Sequence, residues 1–338
     1  LVYWQFYKIY GEVPLILEQN VIENRYNVPK ASLAEMEAQI ESDFLQAADL
    51  LLETNSPDNF GRPTKGSAWG YLAKFYMYKE NFPKVIEFGS KVINGPYNLV
   101  ANYGDNFNPN TQQNSEILFA IQSKEGWTEN IASIYYGPRP WGGWGFQEPI
   151  QDLVDEFEPG DERRKYSIAG VGDIVDPGEG NGGVQPVPAG LTNTGYFFLK
   201  HVAWRPDGGL NNDLDIVMLR AADVYLLVSE AKIRSGQNGD AELNAVRTRA
   251  GLDPISNATM TDVIHERRVE LAGENERHLD LIRWDKANLI DIKAHYAIDR
   301  GPWKPGRTFN RPKNYVFPLP QRQIDLSNGV LVQNPLYQ

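Results

Sequence analysis

The stretch that most constrains how this chain can fold lies between residues 219 and 284, which reads LRAADVYLLVSEAKIRSG, then AELNAVRTRAGL, then IHERRVELAGENERHLDLIRW. Over residues 219–233 apolar side chains occur most of the way round a helical wheel, the pattern of a helix enclosed by others. Yet Asp223 and Glu230 lie inside it, seven residues apart and therefore on one face. A carboxylate in such a place is costly unless a cation faces it. The following segments supply Arg247, Arg249, Arg267, Arg268, Arg277 and Arg283. Arg267, Arg268 and Arg277 are expected to pair with buried carboxylates such as Asp223 and Glu230, and the stretch reads as helices locked by buried ion pairs.

Other segments extend the helical reading. Residues 1–17 are dense in apolar side chains and place Trp4 in a core. Ser32, with Glu35 three residues on, has the spacing of a capping box and opens a helix to about residue 53. Residues 64–94 form a helical hairpin, in which Trp69, Leu72, Ala73, Tyr76 and Phe82 have tetratricopeptide spacing. Helices over 219–234 and 240–249 make a second hairpin, followed by helices over 261–273 and 276–289. Between residues 122 and 215 glycine and proline become frequent, aromatic residues lose their period, and only 152–158 reads as helical. A long irregular segment in a folded protein is usually functional. The expected architecture is all-α: one domain of stacked tetratricopeptide-like hairpins, with scaffold over 1–121 and 216–338 and a loop-rich ligand-binding cap over 122–215.

Several of these residues carry a resemblance. Leu219, Arg220, Ala222, Asp223, Glu230 and Ala231, then Asn244, Val246, Arg247, Arg249, Ala250 and Gly251, form the first part of it. The rest runs from Glu266-Arg267-Arg268 through Glu270, Leu271, Glu274, Arg277, Asp280, Leu281 and Arg283 to Trp284. Together they resemble the C-terminal signature of the SusD-like (RagB/SusD) nutrient-binding lipoproteins. Gly61-Arg62, Thr64-Lys65-Gly66, Ser115-Glu116-Ile117, Pro149, Asp152-Leu153-Val154, Asp161, Arg163, Phe317-Pro318-Leu319-Pro320 and Gln333-Asn334-Pro335 agree with it. The resemblance implies a SusD-like fold and a cell-surface protein of the outer membrane. Such a protein captures oligo- or polysaccharide, does not cleave it, and delivers it to a SusC-like TonB-dependent transporter. It also implies a signal peptide, a lipidated cysteine and further helices ahead of Leu1, so an N-terminal part is expected to be missing. Membrane contact would come only through that lipid anchor.

Composition removes other classes. The absence of cysteine excludes disulfides, thiol nucleophiles and cysteine-bound metals. A net charge of -11 argues against sequence-independent nucleic-acid binding. Gly178, Gly180 and Gly183 match the dinucleotide fingerprint in letters, but Pro177, Pro186 and Pro188 deny it the flanking strand and helix. Glu266, Glu270 and Glu274 form a row at four-residue spacing that arginines can balance. Asp223 and Glu230 could be imagined as a glycosidase pair, but a helix packed all round gives them no cleft. His201, His265, His278 and His295 show no HExxH spacing. No cofactor is expected, although the Asp-rich stretch 211–215 could take a structural calcium ion without EF-hand spacing.

The tryptophans separate by context. Trp4, Trp69 and Trp284 sit in apolar helical patterns and read as packing residues. Trp144, within Gly142-Gly143-Trp144-Gly145-Phe146, lies in a stretch resembling a family pattern, so loop shaping is weighed at least equally with ligand contact there. Trp127, Trp141, Trp204 and Trp303 lie in loops and are candidates for ligand contact, together with Asn130, Tyr135, Tyr136 and Arg139. A pyranose presents a face of C–H groups that stacks on an aromatic ring, while its hydroxyls bond to amide and guanidinium groups. Glycan capture is therefore the first reading. A peptide-binding member of the same family and a glycoside hydrolase on a helical scaffold are the alternatives.

Overall fold

A computed structural model of the chain describes residues 1–124, 131–210 and 213–338. The long helices are α1 (Val2–Tyr10), α3 (Leu33–Leu50), α4 (Lys65–Tyr78), α5 (Phe82–Ile93), α9 (Ala221–Arg234), α10 (Asp240–Arg249), α11 (Met260–Glu270) and α12 (Arg277–Lys286). Shorter ones are α2 (Glu18–Ile22), α6 (Ala132–Tyr136), α7 (Gln151–Val154), α8 (Arg164–Ser167), α13 (Ile292–Ala297) and α14 (Gln321–Leu326). Three antiparallel two-stranded ribbons join β1 (Ile117–Ile121) to β6 (Ile216–Arg220), β2 (Ile168–Gly170) to β5 (Tyr196–Phe198), and β3 (Ile174–Val175) to β4 (Gln185–Pro186). The protein is predominantly helical, as expected. None of the described helices is long and apolar enough to cross a membrane.

Contacts gather in two compact units. The first comprises Leu1–Asp49, Leu279–Asp299 and Gly306–Gln338. Trp4 is fully enclosed there and stacks on Tyr7 at 5.9 Å, and Trp284 is equally enclosed. The Ser32 capping box forms as the spacing predicts: Ser32 Oγ donates to Glu35, and Glu35 N–H donates back to Ser32 Oγ. The helix ends at Leu50, three residues short of the expectation.

The second unit comprises Leu50–His278 and Arg300–Pro305. Helices α4 and α5 form the expected hairpin, and α9 packs on both. A capping box opens α4 at Thr64, and Asn81 caps α5 by accepting from Lys84 N–H. Residues 219 and 220 were expected in a helix; they end strand β6, because Leu219 and Arg220 pair with Phe119 and Ile117 of β1. The irregular segment belongs to this unit because it shares its core: Phe157, Ile168, Phe198 and Val202 pack with Val269 and Ala272.

Inside the same unit lies a network of buried charge. Asp161, Glu116, Glu266, Glu270 and Glu274 face Arg163, Lys200, Arg220, Arg247 and Arg249, with every one of these side chains at most 8% exposed. Arg163 grips Asp161 with Nε and Nη2 and reaches Glu266 at 2.5 Å and Glu270 at 2.9 Å. Arg220 contacts Glu116, Glu270 and Glu274 at once. Burial would push Glu270 up, but Arg249, Arg220 and Arg163 outweigh it and hold its carboxyl well below the usual range. Burial does push Glu266 up, because only Arg163 and Arg247 offset it and Glu270 adds repulsion. Beside this network Asp223 sits between Lys74 at 2.6 Å and Arg267 at 2.8 Å. Arg267 is thus one of its expected partners. Arg268 pairs instead with Asp152 and Glu156, Arg277 donates to the Ile264 carbonyl, and Glu230 meets Arg234 at 3.5 Å.

The segment after α7 is tied to α11 by charge as well. His265 Nδ1 lies 2.9 Å from Glu156 and Nε2 lies 3.2 Å from Glu158. Both ring nitrogens face carboxylates, so both bonds form only when the ring carries two protons. The hydrogen bond to Glu156 raises the His265 pKa, against a smaller opposing effect of burial.

Two predictions follow from these charges. Arg220→Met leaves three carboxylates short of a cation and is expected to cost about 3 to 5 kcal/mol in urea denaturation. Arg268→Ala should cost less, since Asp152 keeps Arg300 and Glu156 keeps His265. An Arg220 variant that unfolds at the parent's midpoint overturns the account. For His265, a raised folded pKa means its contribution is fully present below the unfolded value of 6.5 and is lost as pH rises through the folded one. The melting-temperature difference between the parent and His265→Gln should therefore shrink from pH 6 upward. A difference that stays constant from about pH 6 to 9 removes the charged-histidine clamp.

Candidate functional site

Residues 131–148 fold back on themselves. In α6 the side chains of Tyr135 and Tyr136 point apart, Tyr136 into the core and Tyr135 outward. After a turn through Pro138 and Gly142, the chain returns alongside: Trp144 N–H donates to the Ile134 carbonyl, Gly145 N–H to Gly137 and Phe146 N–H to Tyr135. The close pass needs glycine at 143, where a Cβ would lie 2.0 Å from the Gly137 oxygen. Gly145, at φ 59, bends the return between Trp144 and Phe146, and the two side chains come together on one side. Their rings meet Tyr135 at 5.1 and 5.8 Å and each other at 5.3 Å, with Tyr135 and Phe146 nearly parallel.

These three rings are open to solvent: Tyr135 is 37%, Trp144 43% and Phe146 64% exposed. Exposed Arg139 braces them by donating from Nε to the Trp144 carbonyl at 2.9 Å. Beneath lies a packed floor. Tyr136 stacks on His201 at 4.3 Å and meets Phe198 edge-on, while Trp141 packs edge-on against Phe197 and Trp204. His201 is half-buried, its pKa is lowered by that burial, and it bonds to the Gly273 carbonyl. A fixed floor under exposed rings makes a preorganised stacking surface.

The expected site residues fall into several places. Trp127 and Asn130 lie outside the described residues. Tyr135 and Arg139 belong to the exposed cluster. Tyr136 and Trp141, expected to touch ligand, are 7% and 6% exposed and are the floor instead, with no face left to offer. Trp204 is half-buried, and its Nε1 donates to the Trp141 carbonyl. Trp303 is exposed, on the short stretch where Arg300 pairs with Asp152. Trp144, for which loop shaping and ligand contact both stood open, presents its indole to solvent. Phe146 was not singled out. The signal for both was aromatic side chains set among glycines, where the backbone can turn and leave rings at the surface.

Other candidates resolve into structure. The row Glu266, Glu270 and Glu274 belongs to the charge network. Residues 178–183 form a turn closed by Gly183 N–H donating to the Gly178 carbonyl, with only a three-residue 3-10 helix inside. Glu158, His265 and Glu266 come within metal-binding range of one another, but the Arg247 guanidinium already bonds both carboxylates. In the stretch 211–215, Asp215 accepts from Ser123 N–H and Asp213 pairs with Lys124, while Asn211 and Asn212 lie outside the described residues. Asp223 is saturated by Lys74 and Arg267, as described above.

Comparison with known proteins gives the family. A SusD-like protein of Formosa agariphila is 25% identical, over 99% of this chain and 70% of its own length. A solved structure of a SusD superfamily protein from Bacteroides vulgatus is 26% identical, with a TM-score of 0.78, covering 99% of this chain and 75% of that one. Another, described as a laminarin binding SusD-like protein, is 29% identical with a TM-score of 0.77, covering 98% and 76%. Residues 1–77 match a family described as starch-binding and associating with the outer membrane. Residues 97–337 match the SusD family itself, and the chain belongs to that family.

Proposed function

We propose that this protein captures glycan at the outer-membrane surface by stacking sugar rings on Tyr135, Trp144 and Phe146. The carrying observation is that three neighbouring rings are exposed together above a packed aromatic floor, in a chain of a carbohydrate-binding family. Water gains little from solvating these faces, and a pyranose C–H face fits them better. Among the described residues Arg139 spends only its Nε on the loop, so its other N–H groups are donors for sugar hydroxyls beside the rings. The laminarin-binding relative supports a β-glucan as the first substrate to try, and the starch-binding description an α-glucan as the second. Capture without cleavage is the reading, since Asp223 is neutralised by two cations in the core. Delivery to a TonB-dependent transporter follows from the family resemblance and is part of the same proposal.

Calorimetry against a panel of laminarin, starch and other polysaccharides, with peptides as a comparison arm, tests the reading. Trp144→Ala, Tyr135→Ala and Phe146→Ala should each lower affinity for the bound glycan. For an aromatic anchor the loss is about 2 kcal/mol, more than tenfold. Melting temperatures should stay near the parent's, since the three rings lie on the surface. Parent-like binding by all three variants would move the site elsewhere, and binding confined to the peptide arm would replace glycan by peptide.

A further inference from the structure

The geometry points to a second carbohydrate site, separate from the three exposed rings, in a groove of about 490 Å³ lined by Phe107, Tyr166 and Trp204 together with Asn108, Asp176 and Ile174. It rests on the carbohydrate reading above and goes beyond it in number and place of sites. The volume lies within the usual range for small-molecule pockets.

Its rings are held before any ligand arrives. Trp204 stands edge-on to Trp141 at 5.7 Å and to Phe197 at 6.1 Å. Phe107 packs edge-on to Tyr103 at 5.4 Å, with the Lys200 ammonium 4.9 Å from its ring centre. Tyr166 lies against the backbone of Gly104, where a Cβ would come within 2.5 Å of the ring. Ordering cost on binding is correspondingly small.

Its polar groups complement a diol. Asn108 uses its side-chain oxygen to cap Asn110 N–H, which leaves its amide N–H groups as donors. Asp176 uses one oxygen on Gly178 N–H, which leaves the other as an acceptor. Vicinal hydroxyls each donate and accept, so an amide and a carboxylate in one groove match them. Asp105 and Asp176 outnumber Lys165 among the charged lining residues, and Lys165 pairs with Glu162. The groove therefore favours a neutral sugar over an acidic or sulfated one.

The test is calorimetry with laminarihexaose and maltohexaose on four proteins: the parent, Trp144→Ala, Asn108→Ala with Asp176→Ala, and the combination of all three. The parent should show two binding events per chain. Trp144→Ala should keep the groove event, and the triple variant should lower that residual affinity more than tenfold. Ile174→Arg, at a residue 67% exposed, provides an obstruction of the groove that leaves the core alone. It should act like the Asn108 and Asp176 pair. If Trp144→Ala abolishes all binding, the groove is not a site while glycan capture stands. If the residual binding of Trp144→Ala survives undiminished both in the triple variant and when Ile174→Arg is added to Trp144→Ala, the second site lies elsewhere and this proposal fails. A parent that binds neither oligosaccharide removes the groove together with the glycan reading.

Discussion

Glu270 organises the larger unit. Its carboxylate meets Arg163, Arg220 and Arg249, and its carbonyl accepts from Tyr103, Lys200 and Arg220. Those partners come from the 103–107 turn, the irregular segment, the end of β6 and α10, so one residue of α11 ties four distant parts of the chain together. Taking such charges out of water is expensive, and a well-packed apolar replacement of the whole set could be equally stable. Removing a single member is another matter, because an unmatched charge remains buried. The physical content of the network is that it punishes any packing in which one partner is misplaced.

That constraint explains how an irregular segment can present a defined surface. Arg163 and Lys200 lie in it, and both end in the charge network. Lys200 is pushed down to about 8 by burial foremost, against the pull of Glu274. Its three neighbours in sequence, Phe197, Phe198 and His201, form the floor under the exposed rings or touch it. The path from Glu270 to Tyr135 thus runs through Lys200, His201 and Tyr136, all packed. The bases of the loops in this region are thus fixed while their tips stay exposed.

How much of this the sequence revealed depended on periodicity. Helices with a repeating apolar face, and the Asp223 to Arg267 pair within one such region, were legible. Lys74 was not, since 149 residues separate it from Asp223 and nothing local marks the contact. Arg163, Lys200 and Arg220 were missed for a related reason: they sit at strand ends and turns, where no wheel predicts which way a side chain points. The same limit applies to the burial of the aromatics. In an irregular segment Trp141 and Trp144 have equal hydrophobicity and similar neighbours. The Gly142 turn between them sends one inward and the other outward.

The contrast between those two tryptophans also bears on affinity. An exposed trio of rings without enclosing walls buries only one face of a sugar, and a hydrated glycan gives up water bonds that such a surface only partly replaces. Binding at a single ring cluster should therefore be modest. Cell-surface capture of a polymer does not need more, because a chain that leaves one sugar unit can rebind through the next, and repeated units raise the effective concentration at the site. On that argument affinity should climb with glycan length until the chain spans every point of contact on the protein. The length at which it stops climbing measures the distance over which this surface engages its ligand.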